Sequence, residues 1–179
     1  MSLFMELLNS GNVKFDENRL LILNAFQLIF PISVFLKLRE FLIKEVGTEK
    51  CNIILKEIGK YQVQQGLKRY KKLLQINKLS IEKITEFGLK HIELLGMGKL
   101  QLIRAQTKPI HVIYNIINNP VAIEYKLLYK ITNEPIDAYL SGILEGAYSI
   151  IFQKDINCME TLCIAKGDKV CQFEVREKI

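Results

Sequence analysis

Four residues near the end of the 179-residue chain, Cys158, Glu160, Cys163 and Cys171, could do chemistry together around the Gly167-Asp168 turn. Thiols this close in sequence suit a metal site, a redox pair or a disulfide, and free cysteine is also a common core residue. Structural disulfides are disfavoured in a reducing compartment. The hypotheses are therefore, in order, a metal site, a reduced and packed cluster, and a disulfide.

The spacing of these residues fits a terminal β-hairpin. Strands over residues 156–165 and 170–175, joined by a loop at residues 166–168, would put Cys163 opposite Cys171 with their Cβ atoms about 5 Å apart. Two neighbouring thiolates suit zinc, which binds cysteine sulfur at about 2.3 Å. Glu160 would point to the other face of a regular strand, so it joins the site only if a bulge intervenes. Cys158 shares the face of Glu160 and either joins the site or turns into the core.

The pattern Glu160-x2-Cys163-x7-Cys171, followed by Phe173, resembles the terminal signature of the 4-vinyl reductase-like domain family. Two upstream segments resemble glycine-containing helices of that family, PIDAYLSGILEG at residues 135–146 and ILKEIGKYQVQQG at residues 54–66. The resemblance extends from about Arg19 to Val175. The family is related to aromatic-sensing regulator domains and to subunits of vesicle-tethering complexes.

In the aromatic-sensing regulators, the resemblance implies a zinc site made of three cysteines and a glutamate beside a small-molecule pocket. The matching residues here are Glu160, Cys163 and Cys171, whereas Asp137 stands where the first cysteine of the family would be. A carboxylate oxygen can also bind zinc. The fourth ligand is therefore expected to be Asp137, with Cys158 as the alternative.

Composition predicts an ordinary globular protein. Hydrophobic residues make up 49% and charged residues 25% of the chain, which is long enough to bury a core. We predict an N-terminal segment, residues 1–18, and one ligand-binding domain, residues 19–179. The predicted fold class is α+β, with a helical N-terminal half packed on an antiparallel sheet and a final helix plus β-hairpin.

Apolar periodicity and turn residues predict the individual elements. The predicted helices run from Ser33 to Val46, from Thr48 to about Ile76, from a cap at Ser80 to Leu95, and onward from Pro135; the strands are Arg19–Asn24, Lys99–Gln106, His111–Ile117 and the final hairpin. The segment 123–129 fits either a strand or a helix. Small residues on two helices predict close approach of another backbone or of a ligand. These residues are Gly59, Gly66, Ser141, Gly142, Gly146 and Ser149.

Residues 20–36 carry no charge, but they include polar residues and Pro31 and are too few for a membrane span, which needs about 20 apolar residues. We predict that this run belongs to the core. The N-terminus shows no secretory pattern, and a cytoplasmic location is expected. The net charge of +6 is spread along the chain, which argues against a nucleic-acid partner; its densest patch is residues 66–72.

Little in the sequence suggests catalysis. No phosphate loop, nucleophile elbow or dinucleotide fingerprint occurs, and the two histidines, His91 and His111, are more typical of surface residues than of haem ligands. Cys51 is predicted to lie in the core. The leading hypothesis is a sensor or binding domain that holds an apolar, hydrocarbon-like molecule between its helices and its sheet, with a structural zinc site and a homodimer through the long helices. The alternatives are a reductase or tetrapyrrole-modifying enzyme, and a dimeric scaffold.

Overall fold

The computed structural model describes residues 3–74 and 81–178. The elements follow the order α1 (Leu3–Asn9), β1 (Val13–Asp16), β2 (Arg19–Ile22), β3 (Ala25–Gln27), α2 (Ile32–Val46), α3 (Thr48–Leu74), α4 (Ile81–Leu94), β4 (Leu100–Thr107), β5 (Ile110–Ile116), α5 (Pro120–Tyr129), α6 (Ala138–Phe152), β6 (Ile156–Leu162), a 3-10 turn (Ile164–Lys166) and β7 (Cys171–Glu177). The predicted α+β class is confirmed.

Two antiparallel sheets organise the chain. A small sheet near the N-terminus has the order β1-β2-β3, and a four-stranded sheet has the order β4-β5-β7-β6. On the four-stranded sheet, alternate residues of β5 and β7 face the core, where Tyr114, Ile116, Phe173 and Val175 are fully buried. This strict alternation is the pattern expected of a sheet with one packed face.

The first sheet is built from two tight hairpins. Their two-residue turns, Glu17-Asn18 and Leu23-Asn24, have positive φ at all four residues. Asparagine tolerates the left-handed region better than most residues. The predicted boundary between residues 18 and 19 falls in the first of these turns, between two paired strands, and the division into two parts stays a prediction.

The predicted break between the first two long helices is confirmed. Gly47 has φ 82 and ends α2, donating its N–H to the carbonyl of Ile43, and α3 begins at Thr48. A left-handed residue at this position favours glycine. The expected helix end near Ile76 and the expected cap at Ser80 lie outside the described residues.

The prediction that small residues allow close packing is confirmed where α3 crosses α6. A Cβ atom added at Gly142 would overlap the carbonyl of Lys56, and one at Gly59 would overlap the carbonyl of Tyr139. A Cβ at Gly146 would lie 3.1 Å from the Cα of Lys60. The compensation for these helical glycines is therefore a neighbouring helix backbone.

Three sequence-based expectations change. The ambiguous segment 123–129 is helical, because Asn119 caps α5 and Pro120 occupies its first turn. The helix expected from Pro135 begins at Ala138, capped by the side chain of Asp137. None of the helices in the described ranges has the length and apolar character needed to cross a bilayer.

The prediction that residues 20–36 form core is wrong for the segment that joins β3 to α2. Leu28 is 89% exposed and Ile29 is 83% exposed, and Phe30 is exposed as well. Absence of charge cannot separate a core segment from an apolar surface loop. These side chains instead form part of the wall of a cavity.

Candidate ligand cavity and metal cluster

Glu160, Cys163 and Cys171 come together in the structure. One ligand atom from each side chain lies within 4.8 Å of the other two, and all three residues are buried. The strand pairing explains this, because the register between β6 and β7 shifts between Glu160 and Leu162, leaving Thr161 as an extra residue. The bulge that the metal hypothesis required is therefore present. Such a group is able to hold a metal ion.

The turn between the two strands is fixed by local hydrogen bonds. The N–H of Cys163 donates to the carboxylate of Asp168 at 2.8 Å, and the N–H of Ile164 donates to the sulfur of Cys171 at 3.3 Å. Gly167 follows the short 3-10 turn with φ 101. The sulfur of Cys171 thus already acts as an acceptor, as it would as a thiolate.

The protonation of the cluster depends on its burial and on the contact between its thiols. A hydrogen bond with Cys171 lowers the pKa of the Cys163 thiol to about 6, against the effect of burial. The same hydrogen bond and burial raise the pKa of the Cys171 thiol. Burial, with the nearby charges of Asp137 and Cys163, raises the pKa of Glu160 to about 9. A cation that binds here therefore has to displace protons.

Asp137 contacts the cluster through its backbone. Its N–H donates to Oε2 of Glu160 at 2.8 Å, while its carboxylate accepts from the N–H of Leu140 at 3.1 Å and from the side chain of Asn119 at 2.8 Å. Oε1 of Glu160 is buried and has no hydrogen-bond partner. A buried carboxylate oxygen without a donor is costly, and a metal ion would satisfy it.

Cys158 lies in the core outside this group of three. It is 1% exposed, and burial raises the pKa of its thiol. Its N–H donates to Glu145 at 2.8 Å. The structure thus brings together three of the predicted ligands and leaves the choice of a fourth, Asp137 or Cys158, as a prediction.

Glu145 anchors a separate buried network between helices and sheet. Its carboxylate lies 2.6 Å from Nζ of Lys56 and 2.6 Å from Nζ of Lys60. Lys56 also donates to the side chain of Asn157 at 2.9 Å and to the carbonyl of Cys158 at 2.8 Å. Burial opposes ionisation of Glu145, but the two lysines outweigh it and the pKa is lowered. The network ties α3 and α6 to β6.

The remaining cysteine and histidines have no role in the cluster. Cys51 is fully buried, as predicted. His111 lies on the outer face of the four-stranded sheet, with Nε2 2.5 Å from a carboxylate oxygen of Glu174. The side chain of His91 lies outside the described residues.

A cavity of about 630 Å³ opens between the small N-terminal sheet and the ends of four helices. Its lining is mostly apolar; the polar residues of the lining are Lys14, Gln27, Asp137 and Tyr139. The aromatic rings of Phe35 and Tyr139 meet at its inner side with centroids 5.6 Å apart. Asp137 therefore belongs both to the wall of the cavity and to the hydrogen bonds of the metal cluster.

The expected location of the ligand pocket, between the helices and the main sheet, is wrong. The face of the main sheet is filled by its own side chains, and the residues that line the cavity come from the N-terminal sheet and the helix ends: Leu8, Val13, Lys14, Phe15, Leu20, Ile22, Gln27, Leu28, Ile29, Phe30, Ile32, Phe35, Leu94, Leu95, Gly96, Met97, Pro120, Val121, Asp137 and Tyr139. Apart from Asp137, the sequence analysis assigned none of these to a site. The asparagines at Asn18 and Asn24 were the available signal for the hairpins.

Comparison with known proteins identifies the same family as the sequence motif. Residues 123–177 match the model of the vinyl-4-reductase domain, a range that contains α6, the cluster and the final hairpin. No curated protein matches the chain.

Several solved structures share the fold. The phenol-responsive sensory domain of the transcription activator PoxR, solved with phenol, has a TM-score of 0.83 at 15% identity, covering 99% of this chain and 92% of that one. A trafficking protein particle complex subunit 3 from Naegleria fowleri, covalently bound to palmitic acid, has a TM-score of 0.57 at 16% identity, covering 83% and 93%. A vinyl-4-reductase family protein from Methanocaldococcus jannaschii has a TM-score of 0.52 at 21% identity, covering 86% and 85%. The predicted resemblance to the 4-vinyl reductase-like domain family is confirmed, with the domain of that family matched at residues 123–177.

Proposed function

We propose that the chain is a sensor or binding domain for an apolar small molecule, which occupies the cavity beside the N-terminal sheet. The observation that carries this proposal is the cavity itself, about 630 Å³ in volume and lined mainly by aliphatic and aromatic side chains. Ligand sites are typically concave and mostly apolar, with volumes of about 300–1,000 Å³. The similarity of the fold to a phenol-responsive sensory domain supports the same function.

We further propose that Glu160, Cys163 and Cys171 hold a structural zinc ion, with Asp137 as the fourth ligand and Cys158 as the alternative. Asp137 is favoured because its N–H already binds Glu160, and each of its carboxylate oxygens keeps a second lone pair. Bound zinc would supply a cross-link between β6, β7 and the start of α6. The buried, unpartnered oxygen of Glu160 supports this proposal.

A homodimer in the cytoplasm completes the proposal. On α2, Val34, Leu38 and Phe41 are exposed and form a stripe on the side of the helix opposite Leu36, which is buried. A helix that is apolar on two sides is typically covered on both. Four free thiols are consistent with a reducing compartment. In the proposed division of the chain, Val13 of the segment 1–18 also lines the cavity of the domain 19–179.

Titration calorimetry with para-butylphenol tests the binding function. We expect one saturable site per chain and recovery of the phenol unchanged, because the proposal is binding without conversion. A modified phenol would favour the enzyme alternative, and a dimer that binds no apolar probe would favour the scaffold alternative.

Zinc titration of the metal-free protein at pH 7.5 tests the metal site. We expect one zinc ion per chain and release of about two protons, from Glu160 and the Cys171 thiol, measured in buffers of different ionisation enthalpy. Zinc binding without proton release, or no binding, would contradict the proposed ligands.

A further inference from the structure

One arginine lies inside the protein without a counter-ion. Arg39, on α2, is 5% exposed, and among the described side chains it makes no ion pair, while its Nε has no hydrogen-bond partner. Its guanidinium carbon lies 5.9 Å from the centre of the Tyr125 ring. A buried charge without a partner is strongly unfavourable, and a cation–π contact of this length offsets only a small part of the cost. The interior therefore lacks an anion at this position.

Asp137 does not supply that anion by direct contact. Its carboxylate is held by Asn119 and by the N–H of Leu140, and the guanidinium acts on it only at longer range, lowering its pKa slightly against the larger, opposite effect of burial. A carboxyl group whose pKa is raised by burial also repels a second carboxylate less than an exposed aspartate would. Space for another anion near Arg39 is thus electrostatically permitted.

Arg39 lies directly behind the inner side of the cavity. Phe35, one helical turn before Arg39 on α2, lines the cavity, and so does Val121, one turn before Tyr125 on α5. Residues four apart on a helix lie on the same face. The pair Arg39–Tyr125 therefore continues, by one turn, the same two helix faces that form the cavity wall.

We propose that Arg39 binds the acidic group of the ligand, so that the preferred ligand is an apolar carboxylate. This inference rests on the proposed function, because the apolar body of the ligand occupies the cavity described above. A guanidinium can bind a carboxylate through two parallel hydrogen bonds. The ligand thereby provides the counter-ion that the ligand-free protein lacks.

Two probes of matched shape test the inference, para-butylbenzoate and the neutral para-butylbenzyl alcohol, titrated at pH 7.5 into wild type, Arg39→Met and Arg39→Lys. In the wild type, we expect the benzoate to bind about ten- to a hundredfold more tightly than the alcohol. Arg39→Met should lose this preference and keep its affinity for the alcohol. Arg39→Lys should keep a reduced preference, because it retains the charge but loses the paired geometry.

Thermal unfolding without ligand gives a second measurement. Arg39→Met should unfold at the same temperature as the wild type or higher, because it removes a buried, unpaired charge at similar volume. A lower unfolding temperature with an unchanged preference for benzoate would assign Arg39 a structural role and overturn the inference.

The two proposals fail in different ways. Equal affinity of the wild type for both probes would overturn the role of Arg39 and leave the proposed function intact. Failure of both probes to bind would overturn the proposed function and this inference with it. If Arg39→Met does not fold, the comparison of the two probes on the wild type and on Arg39→Lys still decides.

Discussion

The region of residues 123–177 and the N-terminal region solve opposite problems. In the former, side chains such as Phe173 and Cys163 are fully buried, helix backbones touch at glycines, and most buried polar atoms have partners. In the latter, Leu28 and Ile29 are largely exposed around an open cavity. Close packing specifies a single structure, whereas an unfilled apolar wall can accept a ligand. The difference separates a rigid frame from a binding surface.

The largest expected effect is a substitution in the rigid frame, Gly142→Ala. The new methyl group would overlap the backbone of Lys56, so that α3 and α6 must separate, which should cost about 4 kcal/mol or more. Gly88→Ala is the matched control, because a Cβ there meets nothing within 4 Å; it should stabilise α4 by up to about 1 kcal/mol. Denaturant unfolding measures both, and equal effects would contradict the close packing.

A smaller loss is expected when the buried ion network is broken. Glu145→Gln leaves Lys56 and Lys60 without an anion and should lower the free energy of unfolding by about 3 kcal/mol. The folded-state pKa of Glu145 is lowered, so its contribution is present above the ordinary carboxylate pKa and is lost as the pH falls through the folded value.

Acid unfolding curves check that sign. The stability difference between the wild type and Glu145→Gln should be constant at neutral pH and shrink below about pH 4. A difference that grows toward acid pH would contradict the ion network.

Removal of a cluster thiol should act only through the metal. We expect Cys163→Ser and Cys171→Ser each to weaken zinc binding about a hundredfold, which removes about 2.7 kcal/mol of stability at saturating zinc. Cys51→Ser is the control, because Cys51 is buried elsewhere and should leave the zinc content unchanged. Metal analysis and thermal unfolding with and without zinc measure the effect; equal zinc content in all three variants would rule out the ligands.

The smallest effect on stability is expected in the binding region. Val121→Phe extends into the cavity and should change the free energy of unfolding by less than about 1 kcal/mol, because the space is open, while weakening binding of para-butylphenol about tenfold. Ile123→Phe, on the same helix but not in the cavity lining, should keep the affinity. Calorimetry distinguishes the two, and equal losses would place the ligand elsewhere.

The sequence predicted the frame better than the binding surface, for physical reasons. Gly47 and Thr48 mark a helix break through local backbone preferences, and the hairpin follows from cysteine and glutamate spacing, including the bulge that brings Glu160 beside Cys163. Each of these signals is local. The start of α6 was misplaced because both Pro135 and Asp137 are good initiators, and the side-chain cap at Asp137 decided it.

The cavity could not be predicted, because it depends on contacts between distant segments. Phe15, Met97 and Val121 come from three separate parts of the chain, and no periodicity shows that their side chains leave a space between them. The uncharged segment around Leu28 has the composition of a core segment. Only the fold shows that it borders an opening.

The most direct test of ligand binding is a methyl NMR titration of the labelled protein with para-butylphenol. The account predicts shift changes for methyl groups that line the cavity, such as those of Ile22, Ile29 and Val121, and constant shifts for Ile116 and Val175 in the core of the four-stranded sheet. Changes centred on Ile116 and Val175, or no changes at saturating phenol, would contradict it.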